Sequence, residues 1–326
     1  MNICFLEKTS FRYNSIDLYS NKLRGAETIL INLSNALSNQ GHKITILNNC
    51  PKNETINKIK WVNIDNYNEF GTFDVAFSNN DTNLFDKIKS NNKILISHSL
   101  QTLEKFIRKK QLKAYFKHRP RVLFLSDYHK KNRSKLLTLF GSIKLHWAVD
   151  DLFLKTQISD NIDKNRAIFT SKSDRNLDLL LDIWKNQIYP KFNNCELVVP
   201  SSNIRIDHKS IIQRKRGSQK DLINDLLSSK IYLIPGHKAE LFCLAAEEAR
   251  ELCIPIVTLG IGCLSERVVH GVTGFVAKND NEFTQFTIEL FKDNNLYKNL
   301  RKNLISMRGL KNWNDTSKKL LKLINN

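Results

Sequence analysis

Short apolar runs alternate with amphipathic helical patterns along the whole chain, and this alternation constrains the fold more than any other feature. Runs at 3–6, 43–47, 59–64, 73–78, 93–97 and 122–126 read as strands. The clearest helical pattern between them covers 26–40, with Ile29, Leu30, Leu33, Ala36 and Leu37 at helical spacing and Gly41 as its stop. The pattern restarts at 167–170, followed by a helical stretch over 174–187 that carries Leu177, Leu180, Leu181 and Trp184 on one face. Further strands are expected at 196–199, 231–234, 254–258 and 274–277. Repeated βα units predict parallel sheets covered on both faces. The polar connector 155–165 separates two such sets. The expected organisation is a Rossmann-like domain over 1–150, a second over 151–305, and a C-terminal helix in 306–326 that returns toward the first. Two consecutive βα domains leave a cleft between them, a usual place for a ligand.

At 326 residues there is length for two separate cores. No apolar run approaches the roughly 18 residues of a membrane span, and the N-terminus lacks the pattern of a signal peptide. A cytoplasmic location is expected. The six cysteines at 4, 50, 195, 243, 253 and 263 form no CxxC pair, which argues against a disulfide framework or a zinc site. The net charge of +19, from 51 basic and 32 acidic residues, calls for an anionic partner. Nucleic acid, anionic lipid and phosphorylated substrates all qualify, but no nucleic-acid-binding module is recognisable.

The chemistry concentrates after the 231–234 run. Glu240 and Glu248 lie eight positions apart, one before an apolar helix and one inside it. With a helix starting near residue 242, they stand on the order of 12 Å apart along its axis. Glycosidase carboxylate pairs sit at roughly 5–9.5 Å. The spacing therefore suits a two-point grip on a hydroxyl-rich ligand better than an acid/base couple. The helix N-terminus between them offers N–H groups and partial positive charge to a diphosphate.

Glu240 through Glu248 and Ala249, then Pro255, Gly262, Glu266 and Gly271 to Gly274, stand in one register. This block resembles the donor site of retaining GT-B glycosyltransferases of the family 4 type. The order of other landmarks agrees: Arg24-Gly-Ala-Glu27, Ala148-Val-Asp150, Arg175-Asn-Leu-Asp178 and Trp313-Asn-Asp315. The resemblance implies a nucleotide-sugar donor, transfer with retention to a glycan or lipid-linked acceptor, no essential metal or other cofactor, and a role in surface polysaccharide or lipopolysaccharide synthesis. It assigns Glu240 to the transferred sugar and Glu248 to the ribose, with Phe242, Cys243 and Leu244 along the donor. Arg175 takes the diphosphate-binding position, where the family has lysine. A second basic residue usual five positions earlier is Thr170 here, with Lys172 as its substitute. Gly25 is to face the phosphates; Arg24 stands where the family has another glycine. His98, at the end of a strand, is placed near the transferred sugar. Leu241 and Cys243 replace two further glycines, and their bulk is expected to narrow the sugar pocket.

Other readings stay open: a GT-B epimerase or phosphorylase, or a binding protein that has lost activity, which Thr170 and the missing glycines would suit. Within 104–121, eight basic residues interleave with Phe106, Ile107, Tyr115 and Phe116. That run suits either an anionic membrane surface, giving peripheral attachment, or a solvated helix face. Arg214 to Arg216 form a second basic cluster, near the nucleotide or in a surface loop. Ser126 and Asp127 read as a helix cap.

Overall fold

The computed structural model describes residues 1–20, 23–67, 71–158, 162, 164–201 and 206–325. It divides into two compact units, one of Met1–Leu18, Lys22–Trp147 and Trp313–Asn326, the other of Tyr19–Asn21 and Ala148–Asn312.

In the first unit, β1 (Asn2–Leu6), β2 (Lys43–Asn48), β3 (Glu54–Ile56), β4 (Ile59–Asn63), β5 (Thr72–Asn79), β6 (Lys89–Ile96), β7 (Arg121–Phe124) and β8 (Ser142–Lys144) form one sheet. Its order is β3-β4-β2-β1-β5-β6-β7-β8. All pairings are parallel except β3 with β4. Ile3 to Leu6 of β1 are at most 1% exposed, as a central parallel strand covered on both faces requires. Helix α1 (Gly25–Asn39) buries Ile29, Leu30, Leu33 and Leu37. It ends in a Schellman motif: Gly41 N–H donates to Ser38 O at 3.0 Å and His42 N–H to Leu37 O at 3.2 Å. Gly41 takes φ +86°, a conformation that favours glycine. Short helices α2 (Leu103–Arg108), α3 (Leu112–His118) and α4 (Asp127–Lys131) follow β6 and β7. Ser126 caps α4, its hydroxyl accepting from His129 N–H at 3.0 Å.

In the second unit, α5 (Asp151–Lys155) precedes β9 (Arg166–Ile168), α6 (Leu177–Ile183), α7 (Tyr189–Lys191), β10 (Glu196–Pro200), β11 (Ile211–Arg214), α8 (Gln219–Leu227), β12 (Ile231–Gly236), α9 (Leu244–Glu251), β13 (Ile256–Ile261), β14 (Gly274–Val276), α10 (Asp280–Lys292) and α11 (Asn294–Met307). The sheet runs β11-β10-β9-β12-β13-β14, parallel throughout. The fold is α/β, with two Rossmann-like parallel-sheet domains.

Three strands escape the sequence pattern. β3, β8 and β11 are three or four residues long, end their sheets or lie at their rims, and bury at most one side chain each. Without a second covered face they need no continuous apolar run. The helix expected over 174–187 also differs. It starts at Leu177, because Asn176 adopts φ +61° and donates its Nδ2 to Gly236 O at 2.5 Å. A π-helical turn, Trp184–Ile188, then separates α6 from α7. The connector 155–165 and the loop after Val199 lie partly outside the described residues.

The last helix, α12 (Trp313–Asn325), belongs to the first unit. Gln40 at the end of α1 donates to Asn314 O at 3.0 Å and to Ser317 Oγ at 2.7 Å. Arg121 on β7 donates to Ile324 O at 2.7 Å, and the Trp313 ring lies 6.0 Å from that of Trp147. Trp313→Ala therefore costs the first unit about 3–5 kcal/mol, read as a lower thermal or urea midpoint. A midpoint unchanged from wild type would mean that α12 contributes nothing to this core.

Candidate functional site

In the second sheet, strand order reverses between β9 and β12. Loops leaving the carboxyl ends of strands on either side of such a reversal diverge and leave a crevice. The loop after β9 brings Arg175 there, and the loop after β12 brings His237 and Glu240. Arg175 Nε lies 3.3 Å from Glu240 Oε1 and its Nη1 3.5 Å from His237 Nδ1. Burial pushes the Glu240 carboxyl up, and the Arg175 guanidinium pulls it part of the way back. The loop is held from behind by backbone: Glu240 N–H donates to His237 O at 2.8 Å and Cys263 N–H to Glu240 O at 3.0 Å. Gly262 sits against this turn at φ +78°, where a Cβ would meet His237 O at 2.3 Å and Glu240 O at 2.9 Å.

Helix α9 begins at Leu244, not near residue 242. Glu240 thus lies in the loop, four residues before the first helical residue, so helical rise does not set its distance from Glu248. Cys243 takes φ +58°, the conformation expected of the glycine it replaces. Leu241, Phe242 and Cys243 are at most 5% exposed, so their bulk enters the core, where the Arg267 guanidinium lies 4.7 Å from the centre of the Phe242 ring. Their backbone and the half-buried Leu244 are what this segment offers a ligand. Ala246 N–H donates to the N-cap carbonyl of Cys243 at 3.2 Å, which leaves the N–H groups of Leu244 and Ala245 as those without an acceptor inside the helix.

Glu248 is half-buried. Burial, and then the charge of Asp150, push its carboxyl up to about 7. Its neighbour Glu247 is a residue that sequence reasoning missed. At 2% exposure it accepts from Arg267 at 3.0 Å, Arg250 at 2.8 Å and Lys311 at 3.3 Å. Burial alone would raise its pKa, but Arg250, Lys311 and Arg267 outweigh burial and hold it below the usual carboxylate range. Only Arg250 stands at helical spacing from it; the other two cations come from distant segments. His237 was missed as well, since a lone loop histidine carries no pattern.

Other expected residues are placed differently. Thr170 Oγ1 lies 3.2 Å from Tyr232 Oη, so this position is a neutral hydrogen-bonded one. Lys172 is exposed, its carbonyl accepting from Arg175 N–H at 2.9 Å. Arg214 pairs with Asp225.

The first unit has its own reversal, between β1 and β5. A cavity of about 470 Å³ opens there, lined among others by Glu7, Arg24, Glu27, Asn79 and Asp81. Glu7 is buried, accepting from Tyr13 Oη and from Asn79 Nδ2 at 2.8 Å. Burial pushes its carboxyl up to about 7, against those two hydrogen bonds. Arg24 occupies the N-cap position of α1, its backbone N–H donating to Glu27 Oε2 at 3.0 Å, and rests 5.7 Å from the Phe11 ring; Gly25, the first residue of the helix, is exposed. His98 follows β6, its N–H donating to Asn80 Oδ1 at 2.8 Å. Burial lowers its pKa to about 4, so the ring is neutral near pH 7. Among the described residues its Nε2 has no hydrogen-bond partner.

All six cysteines are free thiols. Among the described residues no His, Cys, Asp and Glu cluster is arranged to hold a metal, and no helix is long and apolar enough to cross a membrane.

Residues 206–307 match the family model described as glycosyl transferases group 1. The matched segment contains Glu240, α9 and Glu248 but not Arg175. No curated protein sequence matches the chain significantly. Among solved structures, sucrose-phosphate synthase from Thermosynechococcus elongatus is similar with a TM-score of 0.74 at 12% identity, over 100% of this chain and 98% of that one. HepE of Anabaena, crystallised with UDP and glucose, gives 0.71 at 12%, over 100% and 99%. WaaG, a glycosyltransferase involved in lipopolysaccharide biosynthesis, gives 0.70 at 9%, over 99% of both chains. The fold is thus that of GT-B glycosyltransferases, and the matched segment with this fold supports a glycosyltransferase enzyme.

Gly262→Ala is expected to cost about 1–3 kcal/mol, read as a lower thermal or urea midpoint, because the turn carrying Glu240 must move. Gly271→Ala, with φ +73° but nothing within 4 Å of the added Cβ, is expected to cost less. Equal midpoints in the two variants would show that the turn yields freely.

Proposed function

We propose that this chain transfers a sugar from a nucleoside-diphosphate sugar to a glycan or lipid-linked acceptor, with retention of anomeric configuration, as a family 4 type enzyme in surface polysaccharide or lipopolysaccharide synthesis. The observation that carries this reading is the Arg175–Glu240 pair at the β9/β12 reversal, beside the N-terminus of α9. A donor laid across these elements meets Glu240 at its sugar, Arg175 and the α9 N–H groups at its diphosphate, and Glu248 at its ribose diol. Departure of the diphosphate places negative charge beside Arg175 and the helix N-terminus. Both are fixed before the reaction, so they stabilise that charge without reorganising. No metal is assigned a step. The polar cavity around Glu7 in the first unit is the proposed acceptor site. His98, neutral near pH 7, would act as a hydrogen-bonding group rather than as a cation. A cytoplasmic enzyme attached peripherally to a membrane would suit a lipid-linked acceptor. Thr170 favours a second reading, a nucleotide-sugar-binding protein without turnover, since a neutral hydroxyl occupies the position of a second cation.

A calorimetric or thermal-shift titration with UDP, GDP and ADP tests the donor class. UDP is the first choice, as HepE was crystallised with it. Glu248→Ala should weaken binding of the preferred diphosphate by about 10- to 100-fold, the worth of a hydrogen bond to a charged group. For wild type, affinity should fall as the pH drops through about 7, because protonation of Glu248 removes an acceptor from the ribose hydroxyls. Glu248→Gln should lack this component. Parallel pH profiles would remove Glu248 from the ribose. Arg175→Ala should lower kcat by about 10²–10³-fold with a smaller change in donor affinity. A near-normal kcat places the leaving-group cation elsewhere, and nucleotide binding without turnover across a broad acceptor panel selects the second reading. Proton NMR of the product gives the anomeric configuration directly.

A further inference from the structure

Residues 103–139 carry twelve Lys and Arg against two acids, so these 37 residues hold +10 of the chain's net +19. They fold as α2, α3, α4, β7 and a 3₁₀ turn, Lys135–Thr138. Tyr115 joins three of these pieces. Its ring lies 6.0 Å from Phe106 on α2 and 5.1 Å from Phe140, and its hydroxyl donates to Leu136 O at 3.2 Å. Phe106, Tyr115 and Leu137 supply the buried side of this layer. The outer side is unusual. Leu103, Ile107, Phe116, Leu136 and Leu139 are five of the thirteen large hydrophobic residues exposed among the described residues, with Ile107 at 58% and Leu139 at 63%. Leu103 and Ile107 share one face of α2 by their spacing. Phe116 packs edge-on against Phe140, the neighbour of Leu139, at 6.1 Å. Arg108 on α2, Lys113 on α3, Lys131 on α4 and Lys135 in the 3₁₀ turn stand in these elements, and Lys110 in the turn between α2 and α3; among the described residues none is paired with a carboxylate. Lys117 is held by Asp86.

We propose that this face docks on an anionic lipid bilayer, with Ile107, Phe116 and Leu139 entering the headgroup boundary and the surrounding lysines resting on lipid phosphates. The combination selects the partner. A nucleic acid would use the charge but gain nothing from exposed aliphatic side chains, which it would leave in water. A bilayer interface uses both, because apolar burial and attraction to anionic headgroups act together there. Leu103 and Ile107 come from α2, Phe116 from α3, Leu136 from the 3₁₀ turn and Leu139 from the residue after it, so the exposed side chains extend beyond the basic run 104–121. It lies on residues separate from the donor site. Its failure would leave the transfer reading standing, and the reverse also holds.

Co-sedimentation of the full chain with vesicles tests the proposal. Wild type should pellet with phosphatidylcholine–phosphatidylglycerol vesicles and stay in the supernatant with phosphatidylcholine alone, with binding weakened by salt. A K110Q/K113Q/K131Q/K135Q variant should bind the anionic vesicles roughly tenfold or more weakly. An I107S/L139S variant should also lose binding, while circular dichroism and the nucleotide-induced thermal shift stay as in wild type, since both side chains are exposed. Wild type that fails to pellet with anionic vesicles overturns the proposal. So does an I107S/L139S variant that binds as tightly as wild type, which would reduce the face to unspecific electrostatic adsorption. Loss of duplex-DNA affinity in the lysine variant, with vesicle binding unchanged, would make it a nucleic-acid surface instead.

Discussion

A parallel sheet cannot be closed by tight turns. Each strand must be followed by a crossover that returns the chain to the same edge, so every loop after a strand opens at the carboxyl end. Where the strand order reverses, two such loops run apart and leave a polar recess over an otherwise buried sheet. Both units obey this constraint, at β1/β5 and at β9/β12. The residues of interest lie where the constraint puts them. Glu7, Asn79 and Asp81 border one reversal; Arg175, His237 and Glu240 border the other. Elsewhere on these sheets the central strands are covered by side chains, as Ile3 to Leu6 and Ile231 to Ile234 are.

Holding the second recess in shape takes a buried ionic cluster. Glu247 on α9 draws in Arg250, Arg267 and Lys311, and Arg250 also meets Glu251. Breaking up such a cluster leaves an uncompensated buried charge, which is far more destabilising than the pair is stabilising. The cluster fixes the rotation of α9 about its axis and so keeps Glu248, the adjacent residue, on a different face. Two neighbouring glutamates thereby have opposite properties: one held ionised among cations, the other pushed up to about 7 by burial and by Asp150. Gly262 complements this from below, since only a residue without Cβ lets the Glu240 turn rest against the loop after β13.

Much of this was legible in the chain. The central strands stood out because burial on both faces requires unbroken apolar runs, and α1 stood out because its period, its Gly41 stop and its helical length agree. Glu240, Glu248 and Arg175 are singled out by a family resemblance spread over a longer segment rather than by any property of each residue, and the structure brings Arg175 and Glu240 to 3.3 Å. The rim strands β3, β8 and β11 were not found, because one covered face needs few apolar residues. The start of α6 was misplaced because its cause, Asn176 reaching Gly236 O, is a contact between loops sixty residues apart. Glu247 carries no sequence signal for the same reason, as two of its three cations are remote in sequence.

The amino-acid sequence by itself determined the α/β class, the presence of two βα sets, and the segment where acidic residues flank an apolar helix. These follow from hydrophobic period and local backbone preference, which act over a few residues. Only the tertiary structure decided that Glu240 lies in a loop beside Arg175, that Cys243 takes a glycine-like conformation with its side chain in the core, and that Thr170 is occupied by Tyr232. It also decided that Ile107 and Leu139 stay exposed while Phe106 and Leu137 beside them are buried. Such outcomes depend on which distant segments the sheet brings together, and a carboxylate's charge or a side chain's direction has no value until its neighbours are in place.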